Sequence, residues 1–221
     1  SVLEQQLTEL DRTPVDEVVV VTGFAAEWVE SIVSRFHSSA MSVRCLYNPF
    51  FACSDNLGTC WIARHEMHEP FVLLNGDTLF EAAVVDRLLS DATTAPIVLT
   101  IDRKPEYDDD MKVVADGHRL RRVGKQLAGE PINGESIGVT RFDDRGATLF
   151  RNELERAMRE GIGLKRWYLS AIDTLAGGDD VGYCDIQGLG WCELDTHADL
   201  EHARRVVPAW RREKAAAGGG G

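Results

Sequence analysis

Apolar and polar positions follow two rhythms along this chain, one helical and one extended, and they alternate over its first half. Leu3, Leu7 and Leu10 stand at helical spacing behind Ser1, and Ser1 with Glu4 has the form of a capping box. A helix is therefore expected over residues 2–10, ended by Thr13-Pro14. Val18 to Val21 form an unbroken β-branched run that predicts a strand over residues 17–22, buried on both faces as in a parallel sheet. Gly23 closes it, and Val29, Ile32, Val33 and Phe36 return to helical spacing. Residues 43–47 read as a second strand and residues 56–67 as a helix. Phe71 to Leu74 is a third apolar run that stops abruptly at Asn75-Gly76-Asp77. A helix over 79–90 and a strand over 97–101 follow. This β/α alternation predicts a right-handed, mostly parallel sheet covered by helices.

Beyond Asp102 the pattern changes to short strands with polar alternation, at 112–115, 119–123 and 137–142, which are expected as antiparallel additions on one side of the sheet. Helices over 147–160 and 164–175, strands near 181–186 and 190–194, and a last helix from Ala198 complete the reading. Residues 1–213 are expected to form one domain, and the Ala/Gly-rich residues 214–221 a disordered tail or linker.

Composition narrows the function. The chain has 221 residues with 24 Lys+Arg against 36 Asp+Glu, a net charge of −12 that argues against nucleic acid as a partner. No apolar run is long enough for a membrane span and the N-terminus has no signal-peptide form, so a cytoplasmic protein is expected. Cys45, Cys53, Cys60, Cys184 and Cys192 show no C-x-x-C spacing and read as buried free thiols rather than disulfides or a zinc site.

Three segments could carry chemistry. Asn75-Gly76-Asp77 lies where a buried strand meets solvent at its carboxyl end, the edge at which open α/β sheets bind ligands; a plain Asx or glycine turn is the alternative. Glu193 and Asp195 share one face of an extended strand, a spacing that invites Mg²⁺ between two carboxylates unless Asp195 or Thr196 merely caps the next helix. Gly58 and Thr59, after Asn56, would present free N–H groups at a helix start, as an anion site or as a simple cap. Other patterns are weaker. His65-Glu66-Met67-His68 lacks the spacing of a zincin box, and Asp108-Asp109-Asp110 reads as a solvated turn. Trp167 and Tyr168, with Trp191, could form an aromatic box for a quaternary ammonium or could simply pack in the core.

The order of Leu57-Gly58-Thr59, Phe71 to Asp77, Asp110-Met111-Lys112-Val113, Gly124-Lys125, Gly134 to Val139 and Glu193 to Thr196 resembles the nucleotidyltransferase superfamily. Within it, the chain is most similar to the small cytidylyltransferases that activate choline phosphate or related phosphonates. The resemblance implies a Rossmann-like three-layer α/β/α fold of the nucleotide-diphospho-sugar transferase type. It also implies Mg²⁺-dependent nucleotidyl transfer, with CTP favoured as donor, to a small phosphate or phosphonate, releasing pyrophosphate. A sugar-1-phosphate nucleotidylyltransferase and a non-catalytic nucleotide-binding protein are the alternatives. Carried over, Asp77 and Asp195 are metal ligands with Glu193 as a third carboxylate. Asn56, Gly58, Thr59 and Gly76 line the nucleotide. Lys112 and Lys125 face the acceptor phosphate, and Glu135, Trp167 and Tyr168 lie on the acceptor side. Members of this superfamily open with a strand and a G-x-G-x-R loop that grips the triphosphate, and nothing of that form precedes Ser1. Either the chain is a piece of a longer protein or it is a member that has lost the chemistry; the retained aspartates and lysines favour the first.

Overall fold

The computed structural model describes residues 1–107, 111–127 and 129–217, with side chains through Trp210. Asp108-Asp109-Asp110, including the first residue of one motif above, and residues 218–221 of the expected tail lie outside the described residues.

The chain runs α1 (Val2–Leu10), β1 (Glu17–Thr22), α2 (Ala26–Val33), β2 (Ser42–Tyr47), α3 (Asn56–Ala63), β3 (Phe71–Leu74), β4 (Thr78–Phe80), α4 (Ala82–Ser90) and β5 (Ile97–Asp102). It continues through β6 (Lys112–Asp116), β7 (Arg119–Gly124), β8 (Gly134–Phe142), α5 (Asp144–Arg159), α6 (Leu169–Ala176), β9 (Val181–Asp185), β10 (Trp191–Glu193) and α7 (His197–Ala217). The capping box forms as expected: the Ser1 hydroxyl accepts from the Glu4 amide while the Glu4 carboxylate closes back on Ser1. The tail expected from residue 214 is helical through Ala217 in α7.

Six strands make the central sheet in the order β3-β8-β5-β9-β7-β6. β5 alternates its side chains between two cores. Ile97, Leu99 and Ile101 pack with Leu57, Phe150, Leu154 and Ile172 from α3, α5 and α6. Val98 points the other way, into a core shared with Leu7 and Leu10 of α1 and with Val84, Val85 and Leu88 of α4. Period-two alternation thus produces the three-layer α/β/α arrangement.

Three expectations need correction. The sheet is mixed rather than mostly parallel: among the described residues only β1–β2 and β5–β9 are parallel neighbours. β8 is not an addition at one side, because it lies antiparallel between β3 and β5. Its polar alternation does not face water: Thr140 is fully buried, and the neighbouring Thr100 hydroxyl donates to the Val139 carbonyl at 2.7 Å. Residues 79–80, read as the start of a helix, belong instead to the strand 78–80 that pairs antiparallel with β10, so α4 begins only at Ala82. Here pairing overrides local helical pattern. The α4 start is held by Glu9, a buried carboxylate that accepts from the Ala82 amide at 3.2 Å.

β1 and β2 form a separate two-stranded sheet. The outer edge of β1 and the outer edge of β3 are both unpaired, and an apolar cleft of about 1340 Å³ is lined by residues 17–23 on one side and 71–77 on the other. The valines of β1 are consequently half-buried, not enclosed on both faces as their sequence predicts.

Candidate active site

The carboxyl ends of β3 and β5 and the amino end of β8 share one edge of the sheet, because Leu74 pairs with Val139 and Asp102 with Glu135. The Asn75-Gly76-Asp77 turn leaves β3 at this edge. The Asn75 amide donates to the Gly138 carbonyl at 2.9 Å, and Gly138 adopts φ +75°, where a Cβ would stand 2.5 Å from Asn75 Nδ2. Glycine is required at Gly138 both for its left-handed backbone and for this close approach. The Tyr168 hydroxyl donates to Asn75 Oδ1 at 3.0 Å.

Asp195 comes near enough to Asp77 for its charge to act on that carboxyl, although 118 positions separate them (195 − 77). The expected route, two strands of one parallel sheet, is not the one taken. Asp195 follows β10, which pairs with β4 in a small antiparallel ribbon; its Leu194 amide donates to the Asp77 carbonyl at 3.1 Å. The Trp191 indole anchors this ribbon to the sheet by donating to Asp102 Oδ2 at 2.8 Å. Asp77 Oδ1 is buried and has no hydrogen-bond partner among the described residues. Burial, with the nearby Asp195 charge adding to it, pushes the Asp77 carboxyl above the usual carboxylate range. Glu193 is exposed, and no group of three or more His, Cys, Asp or Glu side chains able to hold an ion is found among the described residues. Glu193 therefore does not complete a preformed three-carboxylate cage.

Lys112, Lys125 and Glu135 collect on the same edge beside β5. Lys112 and Glu135 are cross-strand partners, and Lys112 Nζ donates to the Lys125 carbonyl at 3.2 Å. Lys104, unnoticed in the sequence, reaches the buried Glu135 carboxylate at 2.8 Å. Its position two residues past the end of β5 was the available signal. Lys125 Nζ stands 5.3 Å from the Trp167 ring centre.

Of the two readings of Trp167, Tyr168 and Trp191, core packing holds for Tyr168. Tyr168 is 3% exposed and packs edge-on against Phe150, so it belongs to the core and acts on the edge only through its hydroxyl. Trp167 is exposed, but Lys125 approaches its ring and Trp191 turns its indole to Asp102. Of the residues expected to line a nucleotide, Asn56 Oδ1 accepts from the Tyr168 amide at 2.7 Å, and Thr59 Oγ1 accepts from Asn48 at 3.1 Å. Gly58 is buried where a Cβ would stand 2.8 Å from the Ser54 Cβ, and Gly76 is open, with nothing within 4 Å of a Cβ position. Asn56, Thr59, Gly76 and Asp77 all line the cleft.

The remaining motifs are structural. His68 contacts Arg151 at the surface. The cysteines are free, but not all buried: Cys53 is exposed and Cys45 half-buried. Burial pushes the Cys60 thiol up to about 12 and the Cys192 thiol to about 11, which leaves both un-ionised near neutrality. No helix among the described residues is long and apolar enough to cross a membrane.

No protein-family model matches the chain. It is 29% identical over 202 residues to the bifunctional IPC transferase and DIPP synthase of Rubrobacter xylanophilus, covering 88% of this chain and 42% of that protein. It is 27% identical over 208 residues to the CMP-5'-(3-aminopropyl)phosphonate synthase of Streptomyces rubellomurinus, covering 91% of this chain and 33% of that protein. The chain thus spans less than half the length of these curated relatives. Among solved structures, the inositol-1-phosphate CTP transferase from T. maritima superposes with a TM-score of 0.70 at 16% identity, over 90% of this chain and 78% of that one. The CTP:phosphocholine cytidylyltransferase from Streptococcus pneumoniae superposes with a TM-score of 0.71 at 12% identity, over 93% and 85%. The fold is that of the nucleotidyltransferases; the two solved structures that share it are named as CTP-using transferases, and the two relatives as an IPC transferase and a CMP-phosphonate synthase.

Proposed function

We propose that this chain belongs to a cytidylyltransferase that moves CMP from CTP to a small phosphate or phosphonate, with Mg²⁺ bound at Asp77 and Asp195 and pyrophosphate released. The observation that carries this reading is the approach of the segment bearing Asp195 to Asp77, whose carbonyl accepts from the Leu194 amide, at the edge where Lys104, Lys112 and Lys125 also gather. The donor set fits Mg²⁺: two carboxylates, one with a buried oxygen lacking a partner, leave the rest of an octahedron to water and phosphate. When bound, the ion supplies charge neutralisation on the triphosphate.

The chain's own groups supply orientation. Asp77 is fixed by the turn that Asn75, Gly138 and Tyr168 hold in place, so its carboxylate faces the nucleotide without reorganising. The lysines can hold the acceptor's anionic oxygen for attack in line with the departing pyrophosphate, and an anionic nucleophile needs no strong general base. The amine-bearing phosphonate product named for the S. rubellomurinus relative and the choline phosphate acceptor named for the S. pneumoniae neighbour share this chemistry, a small anion-headed acceptor.

The cleft between β1 and β3 supports a further part of the reading. Both of its walls are unpaired strand edges, and Thr22 Oγ1 and Asp77 Oδ1, buried and without partners, lie at its carboxyl end. This is where a strand carrying a glycine-rich, basic phosphate-gripping loop would sit. The soluble protein is taken to be cytoplasmic, where CTP is available.

The test is pyrophosphate release from CTP and Mg²⁺ with choline phosphate, 3-aminopropylphosphonate or glucose 1-phosphate as acceptor. It uses a longer chain carrying such a strand and loop ahead of Ser1. Turnover with either of the first two acceptors, lost by at least about 10²-fold in Asp77→Asn and Asp195→Asn, is expected. Equal turnover in either variant, or turnover with the sugar phosphate alone, overturns it.

A further inference from the structure

Gln6 lies on the buried side of α1, between the apolar positions Leu3, Leu7 and Leu10, with 7% of its surface exposed. A buried primary amide needs partners, and both donors of this one go to a single place. Gln6 Nε2 stands 2.8 Å from the Asn75 carbonyl and 2.8 Å from the Thr78 carbonyl. These two carbonyls bracket Asp77, one on each side of the Gly76-Asp77 step.

We infer that Gln6 is a positioning residue for Asp77, clamping the two ends of the turn that presents this carboxylate to a bound cation. The inference rests on the cation-binding role proposed above for Asp77. Gly76 is the reason a clamp is needed: it is exposed, nothing stands within 4 Å of its Cβ position, and glycine leaves the backbone unusually free. Other contacts hold the neighbours of this step. The Asn75 amide goes to Gly138, the Asp77 carbonyl accepts from Leu194, and the Thr78 hydroxyl donates to the Ile137 carbonyl at 3.2 Å. Only Gln6, among the described residues, bridges the step itself with one side chain. The carboxylate beyond it has a buried oxygen with no protein partner, so its direction is set by the backbone that carries it. Displacement of a reacting group by about 1 Å can cost on the order of 10²-fold in function, so the clamp acts on chemistry as well as on packing.

The measurement is a Mg²⁺ titration of the whole chain followed by the backbone amide shifts of Asp77 and Asp195. Gln6→Met keeps the volume and the apolar packing of α1 but removes both donors. Gln6→Asn keeps the donors one methylene short of the two carbonyls, and it carries the comparison if Gln6→Met does not fold. Each is expected to weaken Mg²⁺ about tenfold and to speed amide exchange at Gly76 and Asp77. Leu7→Ala thins the same helix without touching the turn; it lowers the melting temperature but leaves the Mg²⁺ constant unchanged. An unchanged Mg²⁺ constant in both Gln6 variants, with the shifts abolished in Asp77→Asn, overturns this inference alone. An unchanged titration in Asp77→Asn overturns the cation site and this inference together.

Discussion

β1 and β5 are built from nearly the same kind of sequence, yet they end in different environments. β5 has β8 on one edge, β9 on the other and helices over both faces, and its residues 97–101 are all fully buried. β1 carries Val18 to Val21 and has β2 on one edge only, so the four valines remain half-buried along the cleft that faces β3. A β-branched run specifies a demand for burial, and whether it is met depends on neighbours that the run does not encode. The unmet demand lies beside the functional edge. The Asp77 turn leaves β3 on the far wall of the same cleft, so the least enclosed part of the sheet is also where phosphate chemistry is proposed.

That contrast can be broken from either side. Leu99→Ala in β5 is expected to lower the unfolding free energy by about 3 kcal/mol, through lost burial and the cavity left behind. Val20→Ala in β1 should cost about 1 kcal/mol or less, since its side chain keeps partial contact with solvent. Urea unfolding of both variants measures the difference, and equal losses would mean that the cleft is closed in solution.

Filling the cleft should erase the contrast. An apolar five- or six-residue strand joined ahead of Ser1 by a short glycine loop is expected to raise stability on the order of 2 kcal/mol by covering both edges. Amide exchange at β1 and β3 should slow to the range of β5, while the same extension with a central proline should not produce this protection. Unchanged exchange at both edges would remove the strand from the reading of the cleft.

The smallest effect concerns the Asp77 carboxyl. Its folded value is raised above the ordinary 3.8 by burial and by Asp195, so the fold favours the protonated form. Stability conferred by that preference is full below 3.8 and is lost as pH rises through the raised value. Asp77→Asn removes the penalty and should stabilise the chain at pH 7. The gain should vanish as the pH falls below 3.8, where the carboxyl is protonated in both the folded and unfolded chain. Thermal melts across this range measure it, and a gain that grows on acidification would show the opposite sign.

Sequence by itself determined the local elements whose signals are short-range: the Ser1/Glu4 box, the strands at 17–22, 71–74 and 97–101, and the turn at Asn75-Gly76-Asp77. It also supplied the order of motifs that pointed to a nucleotidyltransferase fold, and both aspartates. Tertiary structure decided the rest. The strand that carries Thr140 read as a polar-alternating addition at one side until a central position for β8 buried that side chain completely. Residues 79–80 read as helix until β10 paired with them, and that pairing, not a shared parallel sheet, brought Asp195 near Asp77. Tyr168 read as a ligand-binding ring because an aromatic pair looks alike in a pocket and in a core. Gln6 carried no sequence signal at all, since an amide on an amphipathic helix is ordinary until two distant carbonyls are found beneath it. Periodicity encodes which faces must leave water, whereas partners for buried polar groups are fixed only when segments far apart in the chain are packed together.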